Sequence, residues 1–484
     1  MNSNSNSNAF AAIRQAIADF KLASRVEPNA TILPEEAFLP VGHRGVLDLR
    51  RQLVVGNRGM GKSFWTHALG NKEIRDKLAG HYRFPELKST EVRIGFNGSA
   101  KKQVFAPTVD ELAEIQQLST GNADLIWKAL LLRIAEDMLG RTFDTLAATI
   151  GTLRQRPSLY SETLSQLDDQ LSEKGENLLV VFDALDRLAQ DWGTIRELSR
   201  ALLRLAIGLQ SFESIRAKIF MRVDLFSDRE IFKFQDSSKI KNDHVSLVWQ
   251  PEELYGLVLF EILRSPAGLP ALKMLAAQTE TTSALPINGE DSRLHVDEQR
   301  TLVHAVAGEF MGSNKKRGLV YTWVPLHLSD AADTCSPRTF LTAWKEAAKR
   351  VPAPTDRAID HLGLLDGVRS ASRSRLNELY EDYEWIRPSL EALKRQFVPM
   401  SRDQLFQLWV DRCVMHTITS STHGEVFKTP AGLTDNPGPE ALLEAMKAVA
   451  VIDERSNGKI NVPDIYRVEA GILRKGGVAV PKRR

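Results

Sequence analysis

Leu53-Val54-Val55-Gly56-Asn57-Arg58-Gly59-Met60-Gly61-Lys62-Ser63-Phe64 decides the fold: a short apolar run leads directly into a full match to G-x-x-x-x-G-K-[ST]. The residues that follow, from Phe64 to Leu69, read FWTHAL and have the composition of a helix. A β- or γ-phosphate needs several converging backbone N–H groups, and Gly56, Gly59 and Gly61 suit a loop that wraps closely around oxygen atoms. A nucleoside triphosphate is therefore the first expected ligand. Its contacts are expected from Gly56, Asn57, Arg58, Gly59, Met60, Gly61, Lys62, Ser63 and Phe64, with Lys62 on the phosphates and the Ser63 hydroxyl on Mg²⁺. The bland alternative is a plain strand-to-helix turn. The strand before and the helix after are the context that the phosphate-loop reading requires.

A site of this kind needs a second half, a hydrophobic strand ending in an acid, and Leu178-Leu179-Val180-Val181-Phe182-Asp183 supplies it. A strand buried in a parallel sheet is apolar on both faces, and a carboxylate at its C-terminal end lies at the ligand edge. Asp183 is the expected Mg²⁺ carboxylate, acting through water. The chain continues Ala184-Leu185-Asp186-Arg187. Asp186 either orients or deprotonates an attacking water, or serves as an N-cap or surface partner of Arg187.

Composition bounds the rest. With 484 residues, 43% hydrophobic and 26% charged, the chain is long enough for two to four domains with proper cores. No uncharged apolar stretch reaches the roughly 18 residues of a membrane span, and MNSNSNSNAF lacks the basic flank and apolar core of a signal peptide. A cytoplasmic protein with no membrane partner is expected. Cys335 and Cys413 stand far apart without a ligand cluster, so neither a disulfide framework nor a zinc site is indicated. The net charge of +2 does not announce a nucleic-acid binder, but the end of the chain is basic, with Arg467, Arg474, Lys475, Lys482, Arg483 and Arg484 against Glu469. Such a tail is either simply solvated or a contact for phosphates or a partner.

Along the chain, the Asn/Ser repeat at the start is expected to be disordered, and Phe10 to Leu22 has helical spacing. Residues 1–30 form a disordered or helical arm, and 31–250 a nucleotide-binding core. Within that core Glu91 to Phe96 reads as a strand closed by Asn97-Gly98. A long helical insert follows, including Ala123 to Leu139 and Ser161 to Lys174, with Trp127 in its own core. Lys218 to Asp224 and His244 to Trp249 read as further strands, so strands alternate with helices and a parallel sheet covered on both faces results. Arg222 and Asp224 fall where the third strand runs out toward the phosphates; they sense the γ-phosphate or pair with each other or with solvent. Gln250-Pro251-Glu252-Glu253 starts a helix and ends the core.

A helical lid is expected over 251–350. In it Ser336 is an N-cap, Pro337 takes N1 and Arg338 stands in the first turn, where it can face bound nucleotide. A helical linker, 351–397, leads to a C-terminal domain, 398–484. There a helix, a strand Val449 to Ile452, a turn Ser456-Asn457-Gly458 and a strand Lys459 to Val462 suggest a winged helix, a fold that binds DNA or packs as a regulatory protein contact.

In this order the parts resemble the AAA+/STAND branch of P-loop ATPases, and more narrowly the bacterial ATPases of phage-defence gene clusters. GNRGMGKS is similar to Walker A, LLVVFDALDR to the Walker B strand of STAND proteins, FMRVDLF to a sensor-1 strand and SPRTFL to the sensor-2 turn that brings Arg338 to the γ-phosphate. The resemblance covers about residues 40 to 350. It implies an α/β fold, a parallel-sheet P-loop NTPase core with helical lid and C-terminal winged-helix-like domain. It also implies an ATPase using ATP and Mg²⁺, with Lys62, Asp183, Asp186, Arg222 and Arg338 as its working residues. Where most AAA+ motors follow the Walker B acid with a glutamate, this chain has Ala184, so turnover is expected to be slow or to rest on Asp186. Arg229 occupies the region where an arginine finger often occurs, and a surface ion pair is its commoner explanation.

The leading functional expectation is an ATP-dependent switch controlling an effector protein encoded nearby, in antiviral defence, acting as a homo-oligomer or hetero-complex. No nuclease, protease, TIR or deaminase signature occurs, so any toxic activity belongs to the partner. The alternatives are a DNA-loading or remodelling ATPase of the origin-recognition or transposition-regulator kind, with DNA held by the C-terminal domain and tail, and a nucleotide-bound scaffold that never turns over.

Overall fold

The computed structural model describes residues 2–22, 34–118, 121–189, 191–289, 295–420, 438–475 and 478, and of residues 2–5, 118 and 288 the backbone alone. Most of the basic tail beyond Lys475 thus lies outside the described residues. The chain divides into two units, Val26–Ala37 with Gly42–Leu247, and Met1–Arg25 with Phe38–Val41 and Val248–Arg484.

The first element, α1 (Asn2–Ala18), belongs to the second unit. It corrects the expectation of disorder for the Asn/Ser repeat, because the helix begins inside that repeat. Ala9, Ile13, Ala16 and Ile17 recur at helical steps and are buried, so the docked half supplies the nucleus and the polar residues only extend it.

The sheet unit runs β1 (Leu53–Val55), α2 (Lys62–Gly70), α3 (Lys72–Tyr82) and β2 (Thr90–Phe96), then the insert α4 (Val109–Leu118), α5 (Ala123–Met138), α6 (Leu146–Gln155) and α7 (Ser158–Lys174). It continues with β3 (Asn177–Phe182), α8 (Trp192–Gly208), β4 (Ile215–Met221), α9 (Val223–Ser227), α10 (Ser237–Asn242) and β5 (Val245–Ser246). The strands form one five-stranded sheet in the order β2-β3-β4-β1-β5, with every pair parallel. After β1 the chain crosses to the far edge and returns strand by strand, so β4 lies between the loop strand β1 and the acid strand β3. Leu178 to Phe182 are all buried, as a strand covered on both faces requires. The last strand is shorter than the expected 244–249. Leu247 makes a final rung to the Val55 carbonyl at 2.7 Å, and the chain then leaves to start a helix at Gln250.

That helix is α11 (Pro251–Arg264), where Gln250 and Glu253 close a capping box. The helical unit continues with α12 (Gly268–Gln278), α13 (Val296–Ala307), α14 (Val320–Leu328), α15 (Pro337–Ala348), α16 (His361–Asp382), α17 (Ile386–Glu391), β6 (Phe397–Val398), α18 (Arg402–Asp411) and α19 (Val414–Thr419). It ends with α20 (Pro439–Ala448), β7 (Asp453–Glu454), β8 (Ile460–Asn461), α21 (Asp464–Ala470) and β9 (Leu473–Arg474). One apolar core takes in residues of α1, of 251–350 and of the C-terminal segment up to Val478.

The contact between α15 and α16 depends on missing side chains. A Cβ at Gly367 would collide with the Ala343 carbonyl and one at Gly363 would come within 2.8 Å of the Ala347 carbonyl. Both obstacles are backbone and cannot swing aside. Gly367→Ala is expected to cost about 2–3 kcal/mol in urea denaturation. Gly151→Ala, in α6 where nothing lies within 4 Å, is expected to be neutral or stabilising by up to about 1 kcal/mol. Equal midpoints for the two variants would refute the close packing.

At the C-terminus the hairpin forms, pairing Asp453 with Asn461 and Glu454 with Ile460. Its first strand comes later than the expected 449–452. Ala450 turns the chain with φ 56, and Val451 and Ile452 are buried as anchors instead of laddered. Ile460 also exchanges both backbone hydrogen bonds with Met400, at 2.8 and 2.9 Å. Met400, β8 and β7 therefore lie side by side, with α18 and α20 between the first and the hairpin, which is the winged-helix arrangement.

Candidate nucleotide-binding site

The chain leaves β1 with the Gly56 N–H donating to the Met221 carbonyl at 3.1 Å, and at Gly56 a Cβ would press on Leu247 at 3.1 Å. Gly59 and Gly61 hold φ of 84 and 104, the left-handed region that side chains disfavour. A Cβ at Gly61 would meet nothing within 4 Å, so conformation, not crowding, demands the glycine, and its open side is free for an approaching oxygen. Gly61 caps α2 without a side-chain hydrogen bond, which leaves the first amides of the helix directed at an anion site. Lys62 folds back over the loop, its Nζ donating to the carbonyls of Gly56 at 2.8 Å and Asn57 at 3.0 Å. Met60 is buried and offers the site its backbone only, while Asn57, Arg58 and Phe64 are half-buried around the loop.

The two halves expected from sequence meet. Asp183 ends β3 at 5% exposure. Its Oδ2 accepts from the Ser63 hydroxyl at 3.0 Å and its Oδ1 from the Ala184 N–H at 2.7 Å. Burial pushes the Asp183 carboxyl above its ordinary value, against the pull of Lys62 and of these two donors. Burial also lowers Lys62, while Asp183, Asp186 and Asp224 oppose the shift and Arg222 adds to it. A carboxylate whose charge is undercompensated beside a hydroxyl suits a hard dication. Among the described residues no group of three or more His, Cys, Asp or Glu could cage a metal, which fits Mg²⁺ held by Ser63 and Asp183 together with substrate phosphates.

Arg222, directly after β4, is shared. Its Nη1 lies 3.4 Å from Asp186 Oδ2 and its Nε 3.3 Å from Asp224 Oδ1. Burial alone would raise Asp186, but Arg222 and then Lys62 outweigh it and hold the carboxyl below its ordinary value. Asp186 is thus an ionised, paired group, better suited to orienting a water than to taking its proton. The structure brings Lys62, Ser63, Asp183, Asp186 and Arg222 to one edge of the sheet. Arg338 belongs to the helical unit, where Ser336 caps α15 and the Arg338 Nη1 lies 3.3 Å from Glu378 Oε1. Arg229 is exposed, without an ion pair among the described residues.

Sequence reasoning missed two neighbours. Trp65 and His43 are buried and joined by an indole-to-Nδ1 hydrogen bond of 3.0 Å, which fixes α2 behind the loop. Asn97, read only as a turn residue, stands beside Asp183, because the Asp183 N–H donates to the Phe96 carbonyl at 2.8 Å. The register between β2 and β3 was the missing signal.

A glycine loop at the end of the central β1, an acid at the end of β3 and an intervening β4 define a P-loop nucleotide-binding core of the α/β class. No family model matches the chain, and no curated protein does. Among solved structures it is similar to the Aeropyrum pernix ORC2 protein in ADPNP–ADP complexes, at 13% identity and TM-score 0.38 over 93% of this chain and 94% of that one. It is also similar to Cdc6p from Pyrobaculum aerophilum, at 13% and 0.28 over 93% and 94%. A third is the Aeropyrum pernix ORC1 protein in complex with DNA, at 12% and 0.31 over 93% of each chain.

Proposed function

We propose that the protein is an ATP-binding and ATP-hydrolysing switch of the AAA+ kind. The observation that carries this is the Ser63–Asp183 hydroxyl–carboxylate pair, set beside the glycine loop and Lys62. Mg²⁺, when bound there, supplies positive charge to the β- and γ-phosphates. The chain's own part is to grip the phosphates with loop amides and Lys62, and to orient water with Asp186. With Ala184 after the acid and Asp186 tied to Arg222, turnover is slow or waits for a partner.

The output favoured here is DNA loading or remodelling of the origin-recognition kind, because the C-terminal helices and hairpin have the winged-helix arrangement. The exposed face of α20 carries Glu440 and Glu444, so contact with phosphates falls to Arg455 and Lys459 in the wing. ATPase activity stimulated by duplex DNA, falling steeply with salt and weakened by Lys459→Ala, is the expected result. Turnover indifferent to DNA but raised by a neighbouring gene's product would favour the second reading, an antiviral switch acting on that product, which rests on sequence resemblance.

Arg338 is the proposed γ-phosphate sensor of the switch. Arg338→Ala is expected to bind ADP as the wild type does and to lose about tenfold in its preference for ATP, the scale of one charge-assisted hydrogen bond. Titrations with both nucleotides check it, and an unchanged preference removes Arg338 from the mechanism. Assembly as a homo-oligomer or hetero-complex is part of the proposal, as is a cytoplasmic location; no helix among the described residues is long and apolar enough to cross a membrane.

A further inference from the structure

Glu378, in the last third of α16, divides its carboxylate between two arginines. Oε1 lies 3.3 Å from Arg338 Nη1 on α15, and Oε2 lies 3.2 Å from Arg375 Nη1, one turn earlier on its own helix. The two cations are not equally held. Burial opposes the charge on Arg375, but Tyr466 on α21, Glu378 and Asp330 sustain it, and Tyr466 is itself fully buried. Asp330 is fixed in turn, accepting from the N–H groups of Ala332 at 3.0 Å and Thr334 at 3.1 Å and from the Thr334 hydroxyl at 2.7 Å. Arg375 is therefore anchored by groups from several elements, whereas Arg338 projects from the first turn of α15, where a change of partner needs only side-chain rotation.

We infer that Glu378 is a positioning residue that competes with the γ-phosphate for Arg338, an inference that rests on the sensing role proposed for that arginine. The carboxylate retains Arg338 when ADP is bound and yields it to the third phosphate of ATP. Neutralising it leaves two neighbouring guanidinium groups on one amide, and their repulsion favours transfer of Arg338 to the phosphate.

The test uses the full chain, with ATP and ADP affinities measured for wild type, Glu378→Gln, Arg338→Ala and the double variant, each checked for a normal melting profile. Glu378→Gln is expected to bind ATP about fivefold more tightly with ADP affinity unchanged, and the gain is expected to vanish in the double variant. A structural role alone would move both nucleotides together. Should Glu378→Gln fold poorly, Glu378→Asp, which withdraws the charge by one methylene, is expected to show a smaller gain of the same sign. An unchanged ATP-to-ADP ratio in the Glu378 variants, with Arg338→Ala losing its preference for ATP, overturns the role of Glu378 and leaves the sensor standing. If Arg338→Ala keeps that preference, the sensor reading itself falls, and this inference with it.

Discussion

Lys62→Ala is expected to fold normally and to lose ATP binding by at least about a hundredfold, equivalent to nearly 3 kcal/mol. The lysine's Nζ contacts only loop carbonyls among the printed geometry of the site, Gly56 at 2.8 Å and Asn57 at 3.0 Å, which water can replace in a half-buried position. What water cannot replace is the charge. Without Lys62 an incoming triphosphate faces Asp183, Asp186 and Asp224 with Arg222 as the remaining nearby cation, and Arg222 is already shared between Asp186 and Asp224. Calorimetric titration of a variant with a wild-type melting profile decides the matter. Unchanged affinity would reduce residues 56–63 to a strand-to-helix turn.

The parts of the site that could be read from sequence are those whose physics is local. A loop that must wrap phosphate shows its glycines within a few residues, and an acid ending an apolar run marks the edge of a buried strand. The Gly56–Ser63 loop and Asp183 were legible for that reason, as was the Ser336 cap that sets Arg338 in the first turn of α15. Strand order was not, because placing β4 between β1 and β3 depends on crossovers whose direction no short segment records. The same limit hid Asn97, which reaches Asp183 only through the register of β2 on β3. It also hid Lys218, a fully buried lysine in β4 that donates to the carbonyls of Asp48 at 2.7 Å and Arg51 at 2.6 Å and is pushed down to about 7 by burial. The Asn/Ser repeat misled for the opposite reason. Its own composition opposes burial, and its helix is imposed by Ala9, Ile13, Ala16 and Ile17 downstream. Glu378 stands forty positions from Arg338 on a different helix, and nothing in either segment names the other as partner.

Asp183→Asn is expected to separate binding from turnover. The amide keeps the carboxylate's shape, so the loop and the Lys62 contacts persist and ATP affinity without metal should stay within about threefold of wild type. It cannot neutralise a dication, however, so the dependence of binding on Mg²⁺ should disappear and turnover fall by at least about a hundredfold. Stability should move the other way. Burial raises the Asp183 carboxyl in the folded protein, so the wild type is favoured while this group is protonated in both states, and that advantage is lost as pH rises from the ordinary carboxylate value through the raised one. The variant titrates nothing there, so its melting temperature should match or exceed that of the nucleotide-free wild type above this range, with the gap closing in acid. Asp186→Asn should behave differently, because Asp186 is held ionised by Arg222 and contributes through orientation: kcat is expected to fall about tenfold with Mg²⁺ dependence intact. Wild-type turnover by Asp183→Asn in Mg²⁺ would show that the Ser63–Asp183 pair is a structural hydrogen bond, and the proposed hydrolytic centre would have to be abandoned.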